Sequence, residues 1–337
     1  MERPVNRHPG SLRSDLLLVD DLRLSLDDGH ELVRGATLHA ARGEIVGVVG
    51  ESGSGKSLTL RAIAGLLPEG ISMAGGRLEI NGVEVGDAGP REMRQRCGES
   101  VGMVFQDPMT ALNPTMRIGV QIAEAARAAG DISRVAARAR AIELLERVGF
   151  PEPHRRYRLY PHHLSGGMRQ RVVIAIALAG DPSLLLCDEP TTALDATITL
   201  KVLDLLTDLV RELSIGVVFV THDLGVAARV CDRIVVMYAG QVIEEGPTKE
   251  ILSRPRHPYT LALLRAVPTR DRDIEELRAI PGNPPQRGDD LSGCAFAARC
   301  QFAEPACCEP VELIPLGDSR STACRRHALL SVKERTS

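Results

Sequence analysis

The chain has 337 residues, 44% apolar and 25% charged, enough to bury a large core and ordinary for a globular protein. A net charge of −3 argues against a nucleic-acid clamp, whose affinity would rest on an excess of basic side chains. No uninterrupted apolar run is long enough to span a bilayer, and the polar stretch 1–14 lacks the apolar core of a signal peptide. That stretch is expected to be a flexible tail. The chain is expected to be cytoplasmic unless a partner holds it at a membrane, and its eight cysteines are expected to stay reduced.

Alternation over 19–26 predicts a half-buried strand, and the short apolar run 44–50 a buried parallel strand. A glycine-rich loop follows, then a helical pattern over 57–66. Leu78, Ile80, Val83 and Val85 flank Asn81-Gly82, a hairpin signal. Residues 101–105 read as a strand. The pattern over 117–149 is helical, with Ile142, Leu145 and Val148 on one face. Helices are predicted over 168–179 and 197–213, and strands over 184–188, 216–220 and 234–238. Strands alternating with helices imply an α/β fold with a mostly parallel sheet. The helical stretch of about 110–170 looks like a subdomain inserted into it. Beyond Gly246 proline becomes frequent and cysteines cluster, which divides the chain into 15–246 and 247–337.

Gly50-Glu51-Ser52-Gly53-Ser54-Gly55-Lys56-Ser57 fits the phosphate-binding P-loop pattern and sits between a strand and a helix. Its glycines let successive backbone N–H groups point at phosphate oxygens, and the helix that continues through Leu58 adds its positive end. Lys56 would reach the β- and γ-phosphates, and Ser57 would offer a hydroxyl to Mg2+. The apolar run 184–187 ends in Asp188-Glu189, which places two carboxylates at the C-terminal edge of a sheet, where ligands bind. Asp188 could hold Mg2+ and Glu189 could polarise an attacking water. Alone, each feature has a plain alternative, a glycine-rich turn or a solvated acidic loop; together they point to nucleotide hydrolysis.

Leu164-Ser165-Gly166-Gly167-Met168-Arg169-Gln170-Arg171 resembles the signature motif of ABC-transporter ATPases. Other family motifs follow in order. Gln106 in Val104-Phe105-Gln106-Asp107-Pro108 resembles the Q-loop, Ala193-Leu194-Asp195 the D-loop, and His222 in Thr221-His222-Asp223 the switch histidine. The resemblance covers about 16–246. It implies a P-loop NTPase core with an antiparallel β subdomain, an inserted helical subdomain and ATP with Mg2+ as cofactors. It also implies head-to-tail pairing, each ATP held between one chain's P-loop and the other's Ser165, Gly166 and Gly167. Those three residues precede a helix and so offer N–H donors to a γ-phosphate. In this reading Glu189, His222 and Gln106 are catalytic, Gln106 also contacts Mg2+, and Asp195 belongs to the nucleotide-binding set. The family's adenine-stacking aromatic has no counterpart: Leu24, Leu26 and His30 occupy that region, with His30 as the candidate substitute.

Phe105-Gln106-Asp107-Pro108-Met109-Thr110-Ala111-Leu112-Asn113-Pro114 resembles the peptide/nickel importer branch. Arg256-His257-Pro258-Tyr259-Thr260 and Ile280-Pro281-Gly282-Asn283-Pro284-Pro285 agree. Within that branch the chain resembles the D-like ATPase of dipeptide and oligopeptide systems. The implied partners are two integral-membrane permeases, a sister ATPase or a second copy, and, indirectly, an extracytoplasmic solute-binding protein. The implied place is the cytoplasmic face of the plasma membrane, peripherally bound. The helical region 110–163 is expected to receive a permease's cytoplasmic helix. Cys294, Cys300, Cys307 and Cys324 could supply four thiolates to a [4Fe–4S] cluster, as the tail's resemblance implies. Zinc and free reduced thiols stay open. The rival functions are a nickel or other solute importer, an exporter motor, a soluble ABC ATPase and a P-loop kinase. The kinase has no use for the signature motif or the switch histidine.

Overall fold

The computed structural model describes residues 15–86, 90–98, 100–192, 194–266, 280–286, 289, 291–317 and 319–333. The expected tail 1–14 and Ala193 of the D-loop run lie outside them. Strands β1 (Leu17–Leu26) and β2 (Glu31–Ala40) open the chain as an antiparallel pair. Next come β3 (Ile45–Val49) and helix α1 (Lys56–Ile63). Then β4 (Ile71–Ile80) and β5 (Val83–Glu84) meet at Asn81-Gly82, with Ile80 opposite Val83. Asn81 and Gly82 both have positive φ, 54° and 76°, which a two-residue turn between right-twisted strands requires.

After α2 (Pro90–Gly98) and β6 (Val101–Val104), the chain turns helical: α3 (Pro108–Ala111), α4 (Ile118–Ala129), α5 (Arg134–Arg147), α6 (Pro153–Arg156) and α7 (Gly166–Ala177). The remaining core is β7 (Leu184–Asp188), α8 (Ala196–Leu213), β8 (Gly216–Thr221), α9 (Leu224–Val230), β9 (Arg233–Tyr238) and β10 (Gln241–Pro247). The rest comprises α10 (Thr248–Ser253), α11 (Pro258–Ala266), β11 (Ile314–Pro315), β12 (Ser321–Thr322) and α12 (His327–Lys333).

Two sheets result. One is antiparallel, in the order β2-β1-β4-β5; the other has eight strands in the order β11-β12-β10-β9-β3-β8-β7-β6. In the larger sheet β9, β3, β8, β7 and β6 run parallel, and β10 to β11 add an antiparallel edge. Strands β3, β7, β8 and β9 are buried on both faces, which is why they read as unbroken apolar runs. Their alternate residues feed two cores. Val46, Val48, Leu186 and Val220 face the antiparallel sheet and α1, whereas Ile45, Val49, Leu185 and Phe219 face the helices. Each such side chain, once removed from water, contributes about 1.5–3 kcal/mol. Helix α8 offers that core Val202, Leu203, Leu206, Leu209 and Val210, an apolar stripe at helical spacing.

The α/β reading with a mostly parallel sheet and an antiparallel subdomain therefore holds. Three features escaped it. Strand β2 and the 71–77 part of β4 carry polar or glycine-rich sequence, and Gly76 sits at φ 98°. Strand β10 contains Glu244 and Glu245, 1% and 4% exposed, which masks its buried character. The tail joins the main sheet, Glu244 and Glu245 of β10 pairing with Thr322 and Ser321 of β12.

Candidate functional site

The parallel order β3-β8-β7-β6 delivers four chain ends to one edge of the sheet. The P-loop leaves β3, His222 follows β8, Asp188 ends β7 and Gln106 lies just beyond β6. A Cβ on Gly50 would sit 2.2 Å from the Met237 carbonyl oxygen, so only glycine lets the loop leave the sheet there. Gly55 caps α1 at φ 99°, again the left-handed region. Lys56 is 5% exposed; its Nζ donates to the carbonyls of Gly50 and Glu51 at 2.9 and 2.8 Å and to Ser54 Oγ at 3.4 Å. Burial pulls its ammonium below the usual lysine range, against the attraction of Glu189, Asp188 and Glu51. The cation is thus curled inside its own loop.

Ser57 Oγ donates to Asp188 Oδ1 at 2.7 Å, joining two of the three residues expected to serve Mg2+; the third, Gln106, lies against Glu189. Ser57 and Asp188 present hard oxygen donors, the type that ion prefers. Glu189 stands at φ 47°, an uncommon conformation for a residue with a side chain. Its Oε2 gathers three partners: His222 Nδ1 at 3.0 Å, Thr192 Oγ1 at 3.0 Å and Gln106 Nε2 at 3.4 Å. The three expected catalytic residues, Glu189, His222 and Gln106, are therefore in contact. A carboxylate held in this way can accept a proton from a water placed against it. Thr192 was not singled out in the sequence; it lies just before Ala193-Leu194-Asp195, a stretch read for its aspartate.

Signature and D-loop residues are brought together on a second surface. Ser165 caps α7, accepting from the Met168 N–H, and Asp195 caps α8, accepting from the Ile198 N–H at 3.0 Å. A Cβ on Gly167 would lie 2.3 Å from Ile198 Cγ2, so that glycine allows α7 to close on the start of α8. Ser165, Gly166 and Asp195 remain exposed. An open groove of about 480 Å3 adjoins them, lined by Thr192, Leu194, Leu200 and His222 among others. In the proposed adenine region, Leu24 is fully buried in the core and unavailable to a base, while Leu26 and His30 are half-buried.

The tail cysteines Cys294, Cys300, Cys307 and Cys324 do not form the cluster site that the resemblance implied. All eight are free thiols, and among the described residues no group of three or more His, Cys, Asp or Glu side chains is arranged to hold a metal ion. An iron–sulfur site is therefore not supported. Burial instead keeps the thiols neutral: it raises Cys294 and Cys300 and pushes Cys324 up to about 12, neighbouring thiols adding to each rise. Two other residues were given no place at the ATP site in the sequence. Arg299 and Tyr259, both beyond Gly246, contact Glu51 of the P-loop. No local pattern announces a contact across more than 200 residues.

A P-loop joined to a paired carboxylate, with a glutamine and a histidine converging on the second acid, defines an ATPase of the P-loop class. Residues 33–192 match the family described as "ABC transporter", and 243–307 match "Oligopeptide/dipeptide transporter, C-terminal region". The chain is 49% identical over 293 residues to the oligopeptide transport ATP-binding protein OppD of Bacillus subtilis, covering 86% of this chain and 82% of that one. It is 44% identical over 313 residues to the dipeptide transport ATP-binding protein DppD of Escherichia coli, covering 92% and 96%. Among solved structures, CbiO1 of Clostridium perfringens, part of the ABC transporter complex CbiONQ, superposes with a TM-score of 0.63 at 29% identity, covering 71% of this chain and 91% of that one. The chain belongs to the ABC transporter family of ATP-binding proteins. It is an ATP-hydrolysing transporter subunit, and none of its described helices is long and apolar enough to cross a membrane.

Proposed function

We propose that this chain drives the import of di- and oligopeptides through partner permeases. The observation that carries the reading is the pairing of an ATPase site with an extension of the oligopeptide/dipeptide type, over residues 243–307. The cofactors of the reading are ATP and Mg2+. The backbone of Gly50 to Ser57, with Leu58 behind it, cradles phosphates, and Lys56 turns from its own loop's carbonyls to the β- and γ-phosphates. Ser57, Asp188 and Gln106 would hold Mg2+, and the charge it would supply would offset that of the transferring phosphoryl group. Glu189 orients and polarises the attacking water, with Thr192 and His222 fixing its carboxylate. His222 also stabilises the charge that develops on the γ-phosphate.

The exposed Ser165, Gly166 and Asp195, with Gly167 behind them, serve a second cassette paired head to tail. In support, the cassette MJ0796, solved as a dimer in a post-hydrolysis state bound to ADP and Pi, superposes with a TM-score of 0.60 at 30% identity, covering 69% of this chain and 98% of that one. In this reading the second cassette is a sister ATPase or another copy, two permeases receive the force, and a solute-binding protein delivers cargo from the far side. The chain sits peripherally on the cytoplasmic face, its ATPase unit spanning 15–246 and its extension 247–337.

For the extension we propose a four-thiolate site that assembles only on metal binding. What favours it is proximity: the Cys294 N–H donates to the Cys307 carbonyl at 2.9 Å, and both residues line one open cavity. Iron, labile-sulfide and zinc assays after anaerobic purification test this; none of the three present would leave four reduced thiols.

The function is tested by uptake in cells lacking the subunit, restored with the wild-type chain or Glu189→Gln. The variant is expected to bind ATP while nearly losing hydrolysis, and labelled peptides should enter only with the wild type. Nickel uptake restored without peptide uptake would move the cargo to metal. Wild-type turnover in Glu189→Gln would remove Glu189 from its role.

A further inference from the structure

Glu51 is an awkward residue for its place. It is the second residue of a loop that holds phosphates, and its carboxylate, left alone, would repel them. The extension addresses it twice. Arg299 forms a fork on Glu51, Nη1 to Oε2 at 2.7 Å and Nη2 to Oε1 at 3.1 Å. Tyr259 Oη accepts the Glu51 backbone N–H at 2.7 Å. Both anchors come from outside the 33–192 region that carries the ATPase motifs up to Thr192.

Arg299 is itself firmly seated. Its side chain is 4% exposed, and it donates to Pro281 O at 2.8 Å and Tyr238 Oη at 3.2 Å. Its guanidinium lies over the rings of Tyr238 and Phe296, 5.8 Å from each centroid. Tyr238, Tyr259 and Phe296 pack against one another tilted or edge to face, with centroids 4.5–5.4 Å apart. The chain has only four tyrosines and five phenylalanines, so three of them at this junction mark it as the place where the extension is fastened to the ATPase core. A planar, bidentate guanidinium is the group best suited to neutralise one carboxylate and fix its direction.

We propose that Arg299 is a positioning residue of the ATP site. It neutralises Glu51 and draws its carboxylate away from the phosphates, so that the loop reaches full affinity for nucleotide only with the extension seated. The proposal rests on the ATP-site reading above. Nucleotide binding by the unaltered chain tests that reading, and the variants test Arg299.

The experiment is calorimetric titration of the full-length chain with ATP and with ADP, alongside steady-state hydrolysis. Arg299→Gln is expected to weaken both nucleotides about tenfold, the size of one unscreened charge several ångströms from the phosphates. The loss should fall on KM, leaving kcat nearly intact. Adding Glu51→Gln to Arg299→Gln should recover most of the lost affinity, because the offending charge is then gone. A purely structural role for Arg299 would give no such recovery. Arg299→Lys keeps the charge without the fork and should fall between the two. If Arg299→Gln does not fold, Arg299→Met, whose stem still packs on Tyr238 and Phe296, replaces it in the same comparison. Affinity within twofold of the unaltered chain, a defect confined to kcat, or failure of Glu51→Gln to restore binding would each overturn the proposal.

Discussion

At the scale of single residues, Glu189 concentrates the site's design. Its left-handed backbone costs on the order of 1–3 kcal/mol, which the surrounding fold must offset. The return is direction: the carboxylate is met by a histidine after β8, a glutamine after β6 and a threonine three residues on. Thr192 is the least conspicuous of these and offers a clean probe. Thr192→Ala should lower kcat about three- to tenfold with KM for ATP little changed, and Thr192→Ser should restore it, as steady-state kinetics would read out. An equal fall in both variants would assign the effect to lost packing of the methyl group. The sequence placed Glu189, His222 and Gln106 in one site through motif order. It could not reveal that all three meet on a single oxygen, because that depends on the order of strands in the sheet.

At the scale of elements, β10 shows what local pattern cannot carry. Two adjacent glutamates point away from a buried strand, yet both are nearly inaccessible. Glu244 accepts the backbone N–H groups of Arg256 and His257 at 2.6 and 2.9 Å, and Arg320 of the tail reaches its Oε1 at 3.3 Å. Burial raises the Glu244 carboxyl, opposed by these hydrogen bonds and by Arg320. Removing the partner should therefore be costly. Arg320→Ala is expected to destabilise the chain by about 3–5 kcal/mol, the usual penalty for stranding a buried charge, measured by denaturant unfolding. The double variant with Glu244→Gln should recover part of that loss. The strands with regular apolar runs, β3, β7, β8 and β9, were legible in the sequence, as was the Asn81-Gly82 hairpin. Those paired through distant charges were not.

At the scale of the whole molecule, the junction between core and extension should respond to acid. His257 is 1% exposed, and its Nδ1 accepts the Tyr259 N–H at 3.0 Å. Burial depresses its pKa from the ordinary 6.5 to about 3. The unfolded chain therefore takes up a proton at higher pH than the folded one. The contribution of His257 to stability is therefore complete above about pH 6.5 and is expected to be lost as pH falls toward 3. His257→Asn, whose side-chain oxygen can still accept from Tyr259, should flatten that decline, a difference readable in melting temperatures between pH 7 and pH 4. An unchanged slope would place the acid sensitivity in other groups.

The pairing of β12 with β10 also sets a schedule for synthesis. The phosphate loop leaves the ribosome early, but the strand that borders β10 and the arginine that reaches Glu244 lie beyond residue 319. Arg299, the partner of Glu51, emerges some 250 residues after the loop. A chain still being translated thus has its ATPase motifs in hand long before its sheet has an edge partner, and contacts so distant in sequence are slow to form. The fork of Arg299 on Glu51 is then a late contact, and a product terminated before residue 299 would carry the ATPase motifs while lacking that partner of the loop.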